Sequence, residues 1–182
     1  MRLVVGLTVL LALHVSIPVG LLAKVFYAKE EALRAAFPEA EVIDKHTFFL
    51  TDEQKKQAEN LARARLESKL VTVYSGKRGQ RLLGYAMIDV HTVRTLPEAV
   101  MVVLSPEGLV TSTLILAFYE PQEYRPNERW LKQFDQRTLT PDLRVGGGIA
   151  GITGATLTAR GVTEAVRKAL AVYQVLIAKG GR

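Results

Sequence analysis

Gly146-Gly147-Gly148-Ile149-Ala150-Gly151-Ile152-Thr153-Gly154-Ala155-Thr156-Leu157-Thr158-Ala159 runs into an apolar-periodic stretch over residues 162–178, and its two readings imply two different folds. In the first, residues 146–151 satisfy Gly-x-Gly-x-x-Gly, the opening of a dinucleotide-binding βαβ unit. That fingerprint requires a following helix, a second parallel strand and an acidic residue about 20 positions on. Only 31 residues follow Gly151, and they read as one helix ending at Lys179-Gly180-Gly181. No room is left for the strand. In the second reading the segment is an anion site at a helix start. The first N–H groups of a helix lack intrahelical acceptors and attract negative charge. Gly154 and Ala155 concentrate such groups, and the hydroxyls of Thr153, Thr156 and Thr158 offer hydrogen bonds to a phosphate, or esterification by it. Glycines 146–151 then form a flexible approach loop.

Working outward, the remaining pattern is α+β. Val162, Val166, Ala169, Leu170, Tyr173 and Ile177 share one helical face, which should pack on a sheet. Thr51-Asp52-Glu53-Gln54 has capping-box form and opens a helix predicted over residues 52–68. Strands are predicted at 70–74 and 81–90, separated by a turn at 75–80, and a hairpin joins 100–104 to 109–117 through Ser105-Pro106-Glu107-Gly108. Asn127 is placed to cap a short helix over 128–134.

Residues 3–23 carry no formal charge. As a helix they would extend about 31 Å, close to the hydrocarbon thickness of a bilayer. The apolar run resumes through Val25, Phe26 and Tyr27, placing aromatics at the expected interface, and no Ala-x-Ala cleavage site follows. The expectation is a single transmembrane anchor over residues 1–27, with a cleaved signal segment as the alternative, followed by one domain over 28–182.

The chain has 182 residues, 48% of them hydrophobic, enough for one core. Its cysteine count of 0 excludes disulfides, Cys-ligated iron–sulfur clusters and covalently attached c-type haem. A redox role therefore needs an organic cofactor. The net charge of +6 is spread along the chain without interleaved aromatics, which argues against nucleic acid as a partner. His14, His46 and His91 have no metal-pair spacing, and no Gly-x-Ser-x-Gly elbow is present, so neither a metal nor a catalytic set is expected. Glu120 stands near Tyr119, Tyr124 and Trp130. Aromatic faces can flank a flavin ring and a carboxylate can accept from a ribityl hydroxyl, whereas Trp130 and Phe134, four apart on a helix, also read as plain core.

Thr153-Gly154-Ala155-Thr156 resembles the Ser/Thr-Gly-Ala-Thr flavinylation motif of the FMN-binding domain family, which includes the G subunit of the Rnf complex and the C subunit of the sodium-pumping NADH:quinone reductase. The resemblance extends over roughly residues 37–173. Phe37-Pro38-Glu39-Ala40 is similar to the segment after the family's membrane anchor, and Leu83-Gly84-Tyr85-Ala86, 100–104 and 110–117 resemble its strands. Trp130-Leu131-Lys132-Gln133-Phe134 is similar to an aromatic-x-x-Gln-Phe block, and Glu120-Pro121 to a Glu-x-Pro block without its spacer. Where the family usually has Asp three residues before the motif, this chain has Ala150.

The resemblance implies an antiparallel-sheet domain with packed helices behind a membrane anchor. It implies FMN joined by a phosphoester to Thr156 by a dedicated flavin transferase, with Thr153, Gly154, Ala155, Leu157, Thr158, Glu120 and Trp130 completing the cofactor site. The function expected is a one-electron relay for a membrane redox complex, a quinone-linked protein or a c-type cytochrome, on the periplasmic or outer face of a bacterial inner membrane. Two alternatives stand beside it: a flavin-free structural or assembly subunit, and a reductase with loosely bound FMN.

Overall fold

The computed structural model describes residues 24–178. Along them the chain forms β1 (Lys24–Val25), α1 (Lys29–Ala36), β2 (Val42–Phe49), α2 (Asp52–Ala62), β3 (Leu70–Arg78), β4 (Arg81–Thr92), β5 (Pro97–Leu104), β6 (Val110–Phe118), α3 (Glu128–Leu131) and α4 (Thr156–Val172). A 3-10 turn, Gln122–Tyr124, precedes α3 and another, Lys132–Phe134, follows it, while α4 continues into a π-helical turn, Tyr173–Ile177. The strands make one antiparallel sheet in the order β1-β6-β5-β4-β3-β2. The α+β expectation holds, and with parallel neighbours absent from this sheet the dinucleotide reading falls.

β5 runs through the middle of the sheet, and its unbroken apolar segment, Val100 to Leu104, is buried on both faces. On one face α4 packs Val162, Val166 and Leu170 into the main core with Val100, Val102 and Leu104. On the other, α1 supplies Ala32 and Leu33, which meet Phe37, Met101 and Val103. α2 lies outside α4, where Leu50, Ala58 and Ala62 meet Ala171 and Val175. α4 is thus sandwiched between the sheet and α2, which is why its buried set extends beyond the single predicted face to include Arg167 and Lys168.

Several boundaries differ from expectation. The capping box is present: Thr51 Oγ1 accepts from the Gln54 N–H at 3.2 Å and Gln54 Oε1 from the Thr51 N–H at 2.9 Å. That helix ends at Ala62, however, because Arg63 turns left-handed with φ of 53°. Leu66 continues the apolar periodicity from a loop, its N–H held by Glu59 Oε1 at 2.9 Å. The turn predicted at 75–80 is shorter, since β3 and β4 pair as far as Arg78 and Arg81. α1 and β2 were not anticipated. β2 is an edge strand with mixed exposure, so its sequence lacks the alternation that marks a strand.

Residues 1–23, where most of the predicted anchor falls, lie outside the described residues. Among the described residues no helix is long and apolar enough to cross a membrane. The globular fold begins earlier than residue 28: Lys24 and Val25 pair with Phe118 and Ala117, and the Phe26 N–H reaches Leu116 O at 2.8 Å. Phe26 and Tyr27, read as interfacial aromatics, therefore join the sheet's edge.

Candidate functional site

Ala155 is the N-cap of α4 and contributes no side-chain hydrogen bond. The first helical bond runs from Ala159 N–H to Ala155 O at 3.0 Å, so the N–H groups of Thr156, Leu157 and Thr158 have no acceptor among the described residues. Gly154 precedes them with φ of 78° and open space where a Cβ would stand. That backbone is costly for any residue with a side chain. Thr156 is exposed, Leu157 is 49% exposed and Thr158 is 2% exposed. Three hydroxyls in the sequence thus divide into two that solvent reaches, Thr153 and Thr156, and one that it does not.

The exposed first turn of α4 forms one wall of a cavity of about 300 Å³, and Val93, Arg94, Glu120 and Tyr124 form the other. Glu120 is buried, at 6% exposure. Its Oε1 accepts the N–H groups of Arg94, Thr95 and Leu96 at 3.2, 2.8 and 2.9 Å. Those bonds, with Thr95 foremost, hold its carboxyl below the usual range. Glu120 lines the cavity across from Thr156, with its Oε1 committed to the 94–96 loop, so that it shapes the cavity wall.

Trp130 is brought instead into the core. The Asn127 side chain caps α3 by accepting the Trp130 N–H at 2.9 Å, and the indole packs edge-on against Phe134 with ring centroids 5.4 Å apart. Its Nε1–H donates to Ala150 O at 2.8 Å, while the Ala150 N–H donates to Gln133 Oε1 at 2.8 Å. The aromatic-x-x-Gln spacing, with Trp130 on α3 and Gln133 on the 3-10 turn after it, thereby clamps both sides of Ala150, four residues before Gly154. Trp130 does not line the cavity at Thr156.

The glycine run is no flexible loop. Gly146 N–H bonds Ile149 O at 3.0 Å, Gly147 N–H bonds Arg144 O at 2.9 Å and Gly148 N–H bonds Asp142 O at 2.7 Å. A Cβ on Gly147 or Gly148 would collide with Asp142, and Ile149 plugs the core at 0% exposure. The run is a tight turn that delivers Ala150 to its clamp.

A second group of polar residues beside the site went unnoticed in sequence. His91 Nδ1 lies 2.8 Å from Asp89 Oδ2 and Nε2 lies 3.2 Å from Glu98 Oε2, and Lys168 Nζ lies 3.2 Å from Asp89 Oδ1. Asp89 and His91, two apart on β4, share a face by strand alternation, the one signal that could have joined them. Arg167 was likewise missed. Its guanidinium donates to the carbonyls of Leu61, Ala62, Thr140 and Leu143, pinning α4 to the C-terminus of α2.

The phosphate end of FMN fits the first turn of α4: three open N–H groups, a helix macrodipole, an exposed hydroxyl and a cavity beside them. Residues 97–171, from β5 through most of α4, match the family model of the FMN-binding domain. No curated protein sequence matches the chain. Among solved structures the fold is similar to the crystal structure of Shewanella oneidensis NqrC, with a TM-score of 0.53, 12% sequence identity, and coverage of 84% of this chain and 89% of that one. Residues 97–171 thus match the model of the FMN-binding domain, and the chain as a whole shares the fold of NqrC.

Proposed function

We propose that the chain is an electron-transfer flavoprotein that holds FMN by its phosphate at the N-terminus of α4, esterified to Thr156. The observation that carries this reading is the exposed first turn of α4, whose three N–H groups have no acceptor among the described residues while Thr156 presents its hydroxyl beside a cavity of about 300 Å³. The N–H groups of Thr156, Leu157 and Thr158 bind phosphate oxygens, with the helix macrodipole favouring the charge. Glu120 fixes the opposing loop, and Trp130 and Gln133 fix the approach through Ala150. FMN, when bound, supplies reversible one- and two-electron transfer. Thr158 is too buried to be the acceptor, so Thr156 is favoured and Thr153 is the other exposed hydroxyl.

The charge-free apolar run of residues 3–23 supports a membrane location for this flavoprotein, and the reading puts the domain on the periplasmic face with a membrane redox complex, a quinone-linked protein or a c-type cytochrome as its partner. A flavin transferase makes the ester. Ala150 favours a second reading, loosely held FMN, because it lacks the carboxylate of the family's Asp. Acid precipitation after co-expression with a flavin transferase separates the two. Flavin that stays with the wild-type protein and is lost in Thr156→Val supports the ester. Flavin released to the supernatant from both supports the loose reading, and no flavin in either fraction refutes FMN binding.

A further inference from the structure

The Asp89–His91–Glu98 cluster sits between the sheet and α4, one cavity away from Thr156. Glu98 is fully buried at 0% exposure, faces His91 across the β4–β5 register and has Oε1 without a hydrogen-bond partner. His91 lines a cavity of about 530 Å³ that shares Val93 and Leu157 with the cavity at Thr156. Gly161 makes the approach to α4 feasible, because a Cβ there would lie 2.5 Å from His91 Nε2. A buried carboxylate oxygen with no donor is costly as an anion and is relieved by a proton.

We propose that Glu98 is a proton-loading site, reached through His91, that binds one proton from water at Oε1 when negative charge enters the adjoining cavities. This rests on the FMN reading above. One electron passes from a one-electron carrier to the flavin, and one proton passes from bulk water to Oε1 of Glu98; both leave on reoxidation. No other bond is made or broken.

The surrounding charges suit this role. Burial pushes the Glu98 carboxyl up, and the His91 hydrogen bond only partly offsets it. Burial opposes the charged form of His91, but its bonds to Asp89 and Glu98 outweigh that and push it up to about 9. The Asp89 carboxyl is also penalised by burial, yet His91 and Lys168 hold it below the ordinary range. Of the elements packed around the cluster, α4 presents Lys168, Arg160 and Glu164 and the segment after α2 presents Arg65 and Glu67, while β6 places Phe118 opposite Glu98. With Asp89 held ionised and His91 held charged by their mutual bonds, Glu98 is the group left to titrate.

The test is the carboxyl 13C resonance of Glu98 followed against pH in FMN-loaded wild-type protein, oxidised and then reduced with dithionite, with Glu98→Gln as the assignment control. The expected result is a midpoint above the ordinary glutamate range that moves up by about one pH unit on reduction. Gly161→Ala, which displaces His91, should change that midpoint without removing the carboxyl. A midpoint identical in both redox states, or an ordinary glutamate value, overturns the proposal. Wild-type protein that binds no FMN overturns instead the reading on which it rests.

Discussion

Two stretches of one helix, α4, treat their polar groups in opposite ways. In its first turn three N–H groups have no acceptor among the described residues, and Thr156 and Leu157 face solvent. About two turns further along, Arg167 and Lys168 are buried at 6% and 7% exposure, one on four carbonyls and the other on Asp89. Buried polar groups left open cost stability, and satisfied ones fix geometry. The saturated stretch therefore holds α4 in place, and the open turn is what that placement presents to a ligand. Stability should depend on the saturated stretch and flavin on the open one.

The largest effect is expected from Arg167→Met, which removes the donor from four carbonyls and unpins α4 from α2. Urea unfolding should show a loss of roughly 3–5 kcal/mol. A loss under about 1 kcal/mol would mean that the pin is dispensable.

Next comes pH. The His91 folded value of about 9 lies above its unfolded value of 6.5, so its contribution is fully present below pH 6.5 and disappears as pH rises through about 9. That contribution is on the order of 3 kcal/mol at most. Glu98, also raised, adds a loss in the same direction that begins above its unfolded value of 4.5. Unfolding free energy measured from pH 6 to pH 10 should fall, and His91→Gln should flatten the curve. A profile independent of pH would break the cluster account.

Glu120→Ala is expected to be smaller in stability and to reach across the comparison. It frees the N–H groups of Arg94, Thr95 and Leu96, costing about 2 kcal/mol and loosening the wall opposite Thr156. FMN affinity, read by fluorescence quenching, should fall with it. Unchanged affinity would remove the 94–96 loop from the site.

Thr156→Val should change stability least, within about 0.5 kcal/mol, because the residue is exposed and valine is nearly isosteric. Its covalent flavin should nevertheless vanish. Covalent flavin retained on the variant would move the acceptor to Thr153.

The same contrast explains what could be read from sequence. The open turn is local: Thr153 to Thr158 lie in consecutive order, so the motif, the helix start and the missing cap are visible without a fold. The Asn127 cap, the Thr51 capping box and the β5–β6 hairpin are local too. The clamp on Ala150 needs residues on α3 and the 3-10 turn after it, twenty and seventeen positions earlier, and nothing in the spacing says they meet. The Arg167 contacts span more than a hundred residues to α2, and the Lys168–Asp89 pair spans seventy-nine. Trp130 was ambiguous because an aromatic four residues from Phe134 suits a core and a flavin equally, and only the fold directs its indole to Ala150. The glycine run read as flexible because its tightness comes from Asp142 carbonyl and carboxylate atoms that occupy the missing side-chain space.

The most direct test is the mass of the intact protein extracted from its own membranes, with tryptic mapping of the peptide spanning residues 145–160. The account predicts an added mass of FMN less one water, localised to Thr156. An unmodified peptide from membranes that contain a flavin transferase would contradict it.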